Sequence, residues 1–306
     1  MKKMKLGQSD LEVPVIGAGC MKIDSLNEKE AAAFVGNAVS QGVNFFDTAD
    51  IYGGGKSEQV LGKAVLDAGI PREEIIIQSK CGIIPGQMYD LSREHIIESV
   101  DGILNRLNMD YLDILVLHRP DALMVPDEIE EAFLNLKDTG KVHHFGVSNM
   151  NPGQIDLLKT AVIQPILTDQ LQLSVLHAGM IASDINVNML NDEAAVRDSG
   201  IVNYCRIHGI TIQNWSPLSQ GYFEDSVLNE KRFPELNQAL KEIGAVHGLT
   251  PAATALAWLL RHPAGFMPVI GTVKIDHFNQ ACKAADTELS RSEWYQIYRA
   301  AGYTQP

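Results

Sequence analysis

The sequence predicts an α/β fold, a single (β/α)8 TIM barrel with long βα loops and a C-terminal helix, and three observations predict it. Short β-rich apolar runs alternate with longer amphipathic stretches along the chain, the pattern of βαβ units and a parallel sheet. Eight such units fit within about 270 residues, as a closed barrel requires. An open sheet that binds a dinucleotide should carry G-x-G-x-x-G behind its first strand. Here the run is Gly17-Ala-Gly19-Cys-Met-Lys, with two of the three glycines and no helix directly after them.

The predicted strands are 15–18, 43–46, 74–79, 112–117, 142–147, 167–171, 210–214 and 267–270. Predicted helices follow them at 27–40, 57–68, 92–106, 126–139, 151–160, 196–207, 236–247 with 250–261, and 274–285, and a last one spans 290–301. Ser92 opens the third helix as a cap, with Glu94 in its first turn. Thr250-Pro251 places proline at a first helical position. Gly42, Gly69, Gly140 and Gly209 sit just past helices, where the chain must stop and turn into a strand. No linker, low-complexity segment or charge block interrupts the series, so residues 1–306 read as one domain. The loops 172–195 and 215–235 are longer than a connection needs, and long loops on a compact barrel usually carry function.

The chain has 25 basic and 38 acidic residues, a net charge of −13. Such a field excludes general attraction to nucleic acid or an anionic membrane surface. It leaves room for one anionic ligand held by a local cation and backbone N–H groups. Cys20, Cys81, Cys205 and Cys282 are widely spaced with no C-x-x-C pair, which predicts reduced thiols and neither a disulfide framework nor a zinc site. His143 and His144 fall on opposite faces of a strand and make no metal pair. The N-terminal MKKMKLGQSDLEVP lacks an apolar core, so no secretory signal is expected. No apolar run reaches the ~18 residues of a membrane span. The expectation is a cytoplasmic protein.

Chemistry in a barrel sits where strands end and βα loops begin. Those positions hold Asp47 and Tyr52 after the second predicted strand, Lys80 after the third and His118 after the fourth. Ser148 and Asn149 follow the fifth, Gln170 lies on the sixth, and Trp215, Ser216, Pro217 and Leu218 follow the seventh. A carbonyl reductase needs a proton donor for the alkoxide that forms. A phenol with a pKa of about 10 is too weak an acid near neutrality unless shifted, and a lysine cation beside it favours the phenolate. A carboxylate holds that lysine charged, and a histidine N–H can stabilise charge on the carbonyl oxygen. Taken one at a time, these residues also have structural readings: Asp47 as a turn residue, Tyr52 as loop packing, His118 as a core histidine, Ser148-Asn149 as a helix cap, Trp215 as packing. Lys80 closes an Ile-rich buried strand and is costly there without a partner.

The runs FFDTADIYG (45–53), LHRPD (117–121), FGVSN (145–149) and WSPL (215–218), with Lys80 and Gln170 at their strand ends, resemble the aldo-keto reductase family in composition and order. The resemblance implies a monomeric (β/α)8 barrel that binds extended NAD(P)H and reduces a small-molecule carbonyl substrate. It maps a catalytic tetrad onto Asp47, Tyr52, Lys80 and His118. It places Ser148, Asn149 and Gln170 at the nicotinamide carboxamide, Trp215 against the ring, and Cys20 and Met21 at the cofactor and substrate entrance. Gly271, Thr272, Lys274, His277 and Gln280 fall on its phosphate and adenosine site, with His277 where an arginine is often found. NADP(H) is expected ahead of NAD(H). A rival expectation comes from potassium-channel β subunits, which also resemble this family: a cofactor-binding, weakly catalytic redox-sensing or partner-binding module. A barrel lyase using Lys80 as a Schiff-base nucleophile is a third.

Overall fold

The computed structural model describes residues 1–220 and 226–305; residues 221–225, within the long loop predicted at 215–235, lie outside the described residues. Strands β1 (Lys3–Lys5) and β2 (Glu12–Pro14) pair antiparallel. The barrel begins with β3 (Gly17–Gly19), β4 (Phe45–Asp47) and β5 (Ile76–Cys81). A small hairpin follows, β6 (Ile83–Ile84) with β7 (Met88–Tyr89). The barrel then continues through β8 (Leu112–Leu117), β9 (Val142–Ser148), β10 (Ile166–Gln172), β11 (Thr211–Trp215) and β12 (Met267–Ile270). All eight barrel strands are parallel to their neighbours, and β12 pairs with β3 to close the ring. These are the eight strands the sequence predicts, in the predicted order. The sequence predicts neither hairpin, because the strands KMK, EVP, II and MY form no bounded apolar run like those of the barrel.

The helices are α1 (Glu28–Ser40), α2 (Lys56–Asp67), α3 (Arg93–Leu107), α4 (Pro126–Asp138), α5 (Pro152–Leu158), α6 (Gly179–Ile185), α7 (Ile201–His208), α8 (Pro234–His247), α9 (Pro251–Leu260), α10 (Ile275–Cys282) and α11 (Arg291–Ala300). Ser92 and Thr250 accept from the third helical N–H as expected. The cap of α5 is Asn151, in a capping box with Gln154, so Ser148 and Asn149 are left for another role. Two corrections concern the loop after β10. It contains α6, and the helix predicted from 196 begins only at Ile201, because Ser199 and Gly200 are left-handed, with φ of 57° and 74°. Among the described residues no single helix is long and apolar enough to cross a membrane; the apolar pair α8 and α9 is bent by 84°.

Strand alternation sorts the barrel interior into an apolar floor and a polar top. Phe45, Ile76, Ile114, Val116, Leu167 and Met267 form one buried cluster with Leu6 and Val13 of the N-terminal hairpin. The hairpin therefore plugs the end where the strands begin. Two residues further along the same strands, the side-chain period of 2 brings Asp47 and Gln78 to the interior; Lys80 and Gln213 join them above the floor. A second, larger core lies between strands and helices. Asp47, Gln78, Lys80 and Gln213 thus sit above this apolar floor, toward the C-terminal ends of their strands.

Candidate active site

The loop after β4 is held to the barrel by backbone. Thr48 and Asp50 N–H donate to the Gln78 and Lys80 carbonyls at 2.9 and 3.1 Å, and Tyr52 N–H donates to Ala49 at 3.1 Å. Three glycines follow Tyr52. At Gly53 and Gly55, with φ of 57° and 92°, a Cβ would stand 2.6 Å from Asp24 Oδ2 and 2.7 Å from Arg106 Cδ. Only glycine lets the chain turn that tightly into α2. Below the turn, fully buried Glu58 of α2 accepts from Ser79 Oγ at 2.6 Å and from Arg106 Nε at 2.7 Å, which locks α2 to β5 and α3. Burial pushes the Glu58 carboxyl up against the opposing pull of Ser79 and Arg106. Asp50, beside it, is raised to about 7, by burial first and the Glu58 charge second.

Lys80 is fully buried and donates to Asp47 Oδ1 and to the Thr48 carbonyl, both at 2.7 Å. Its Nζ lies 5.1 Å from the Tyr52 ring centroid. Burial alone would disfavour the ammonium, but Asp47 and Tyr52 more than offset it and hold Lys80 above its ordinary value. The Tyr52 and His118 rings meet edge to face with centroids 5.9 Å apart. Burial, then the charges of Lys80 and Arg119, push the His118 imidazole well below its ordinary value, so it is neutral at physiological pH. Its Nδ1 is buried with no hydrogen-bond partner among the described residues, which leaves Nε2 as the nitrogen available to a ligand.

Sequence reasoning missed an amide network beneath this group. Gln78 Nε2 donates to Asp47 Oδ1 and to Gln213 Oε1, both at 2.7 Å, and Gln213 Nε2 returns a bond to Gln78 Oε1 at 3.0 Å. Gln170 Nε2 reaches the same two oxygens at 3.0 and 3.1 Å. The signal was present in the alternation, since Gln78 lies two residues before Lys80 and Gln213 two before Trp215. Above the network, Ser148 Oγ donates to the Gln170 carbonyl at 2.8 Å, Asn149 Nδ2 to Ser148 Oγ at 2.7 Å, and Trp215 Nε1 to Asn149 Oδ1 at 3.2 Å. Asn149 and Ser216 are left-handed, with φ of 58° and 49°, a conformation that non-glycine residues hold mainly where surrounding structure imposes it.

One elongated cavity of about 870 Å³ runs across the strand ends. Asp47, Tyr52 and His118 line it, with Met21, Ser148, Asn149, Gln170 and the run Trp215 to Leu218. Its far end is lined by Gly271, Thr272, Lys274, His277 and Gln280. Lys80 lies behind Asp47 and does not line it. Cys20 requires a correction: its thiol is fully buried in the core, with Sγ 3.7 Å from the Ala18 carbonyl, and faces no part of the cavity. Burial raises that thiol far above its ordinary value. Cys81 is likewise in the core. Thr250, Pro251 and Ala252 at the start of α9 also line the far end, a contribution that sequence order alone does not reveal. The dimensions and donors suit a dinucleotide. A Cβ built on Gly271 would meet nothing within 4 Å although the residue lines the cavity. The space there is open to a ligand and is not claimed by protein packing. Phe278 packs edge to face on Phe34 at 5.3 Å and pins α10 beside it.

A sequence profile described as "Aldo/keto reductase family" matches residues 15–301. The chain is 32% identical to an uncharacterized oxidoreductase, YcsN, of Bacillus subtilis, over 100% of both chains. It is 33% identical to the 6-dehydroglucose reductase of Agrobacterium fabrum, over 86% of this chain and 84% of that one. Its fold superposes with a TM-score of 0.78 on an aldo/keto reductase from Klebsiella pneumoniae solved in complex with NADP and acetate, at 24% identity over 100% of this chain and 97% of that one.

Proposed function

The chain belongs to the aldo/keto reductase family of oxidoreductases, and on that footing we propose that it reduces an aldehyde or ketone to the alcohol with NAD(P)H, Tyr52 giving the proton. The observation that carries this reading is the buried Lys80 ammonium, held by Asp47 at 2.7 Å and set against the Tyr52 ring.

A bound nicotinamide would supply hydride to the carbonyl carbon. Everything else falls to the protein's own groups. Tyr52 Oη passes its proton to the carbonyl oxygen as charge develops there. The Lys80 cation stabilises the negative charge left on the phenol. Neutral His118 offers its Nε2–H to the same oxygen, a donor fixed before the reaction begins. Asp47 keeps Lys80 charged and in place. Because both Gln170 donor contacts come from Nε2, its Oε1 is free to accept from a carboxamide, with Ser148 and Asn149 beside it. Trp215, Ser216, Pro217 and Leu218 would cover the ring, and Met21 would border the entrance. Lys274, His277 and Gln280 would take the adenosine end. Lys274 supplies charge for a 2′-phosphate, so NADP(H) is the favoured cofactor over NAD(H), as with the NADP of the Klebsiella neighbour.

Lys80 is a poor candidate for Schiff-base chemistry, since its ammonium is charged, fully paired and closed off from the cavity. Titration with NADPH and NADH, followed by a panel of carbonyl compounds with oxidation of the preferred cofactor as readout, tests the proposal. Turnover that disappears in Tyr52→Phe supports it. Tight cofactor binding with no turnover on any carbonyl would replace it with the binding-module reading.

A further inference from the structure

The cavity is chemically divided by strand of origin. Its second half, from β9 to β12, carries the amide and aromatic groups assigned above to the cofactor. The first half, from β3 to β8, carries Tyr52 and His118 on its floor and Met21, Ile51 and Ile83 as apolar wall. Lys22 and Arg119 also line that half, and both are cations. Among the described residues there, the one acid is Asp47, and its charge is already matched by Lys80.

Arg119 directly follows His118 and is half-buried. No carboxylate among the described residues makes a salt bridge with it; its guanidinium lies 5.9 Å from the Trp215 ring centroid. It is close enough to His118 to help hold that ring neutral. A half-buried guanidinium without a counter-ion, beside the groups that would meet a carbonyl, is unusual on a chain whose net charge is −13. The planar fork of arginine fits carboxylate and phosphate oxygens two at a time.

We propose that Arg119, assisted by Lys22, forms an anion subsite next to the reacting carbonyl, and that the substrate is a carbonyl compound carrying a carboxylate or phosphate group. This rests on the reductase reading of the same cavity. The apolar wall of Met21, Ile51 and Ile83 spaces the anionic group from the carbonyl held at Tyr52 and His118. The cations also draw acidic substrates toward the mouth of a protein that otherwise repels them.

The test compares matched probes: 4-carboxybenzaldehyde against methyl 4-formylbenzoate, and D-glyceraldehyde 3-phosphate against D-glyceraldehyde. At least one anion should exceed its neutral counterpart in kcat/KM by about tenfold or more, chiefly through KM, as expected for a charge-assisted bond that is partly desolvated. The preference should weaken with added salt. In Arg119→Met the charged-to-neutral ratio should fall toward unity, and in Arg119→Glu below it; Arg119→Gln serves if the Met variant does not fold. Preference confined to one pair identifies carboxylate or phosphate as the group read. No preference for either anion, or a ratio unchanged in the Arg119 variants, overturns the proposal while leaving the reductase reading intact. If no carbonyl is turned over, calorimetric titration with terephthalate decides it: binding lost in Arg119→Met supports the subsite, and no binding to the unmodified protein overturns it.

Discussion

Oδ1 of Asp47 lies 2.7 Å from Lys80 Nζ, and the same oxygen accepts from Gln78 and Gln170 at 2.7 and 3.0 Å. Three donors from two strands, β5 and β10, converge on one nearly buried carboxylate oxygen. The arrangement ties the lysine that faces Tyr52 to the amide network spanning the barrel, so site geometry and fold stability rest on the same contacts.

Lys80→Met should therefore lose both. Removing one member of a buried pair leaves the other charge uncompensated, at a cost of about 3–5 kcal/mol. Denaturant unfolding measures it, and a loss below about 1 kcal/mol would mean that water reaches Asp47. Adding Asp47→Asn to this variant should recover part of the stability and none of the turnover.

Tyr52→Phe changes a group at the cavity surface and keeps its ring. Turnover should drop by about 10²–10⁴-fold, the usual worth of a positioned proton donor, while NADPH affinity changes by less than about threefold, since the interaction removed is one made in the transition state and not in cofactor binding. Stopped-flow single turnover with fluorescence titration separates the two effects.

Gln213→Leu strips two amides of an acceptor and Gln78 of a donor. Stability should fall by about 1–3 kcal/mol for the polar groups left unpaired. Turnover should fall as well, because Gln170 then swings between Asp47 and solvent. The paired variant Gln78→Leu with Gln213→Leu should be less unstable than the sum of the singles, as a double-mutant cycle would reveal.

Asp169 of β10 faces the opposite way, into the outer core, and its carboxyl is raised from 3.8 to about 8. Burial is the main cause; the Met150 and Asn149 N–H groups oppose it, although neither oxygen makes a well-formed hydrogen bond. The folded state thus holds a proton that the unfolded state releases near pH 4, and stability should decline from about pH 4 to pH 8 on this account. Asp169→Asn should gain stability relative to the unmodified protein as pH rises through that window, by a few kcal/mol at its upper end. Equal pH slopes in the two proteins would contradict it.

His118 should contribute no inflection to the pH–rate profile near its ordinary 6.5, because the protonated ring is disfavoured well below that pH. His118→Asn should lower kcat by about 10²-fold, the scale of one preorganised donor, with the shape of the profile around pH 6.5 unchanged.

The sequence by itself determined the number, order and polarity of the barrel strands, because period-2 alternation and helix caps are local properties. It also determined where Asp47, Tyr52, Lys80 and His118 fall, since strand ends can be read from hydropathy and the motifs around them are dense. Tertiary structure alone decided which of these residues touch. It placed Lys80 behind Asp47 and outside the cavity, turned Cys20 into the core, and joined Gln78, Gln170 and Gln213 across a ring whose members are up to 135 residues apart. Barrel closure sets such contacts through strand stagger, which no local pattern encodes. The unpaired charge of Arg119 is of the same kind: its position is legible in the chain, but the absence of a counter-ion among the described residues becomes visible only once every neighbour is in place.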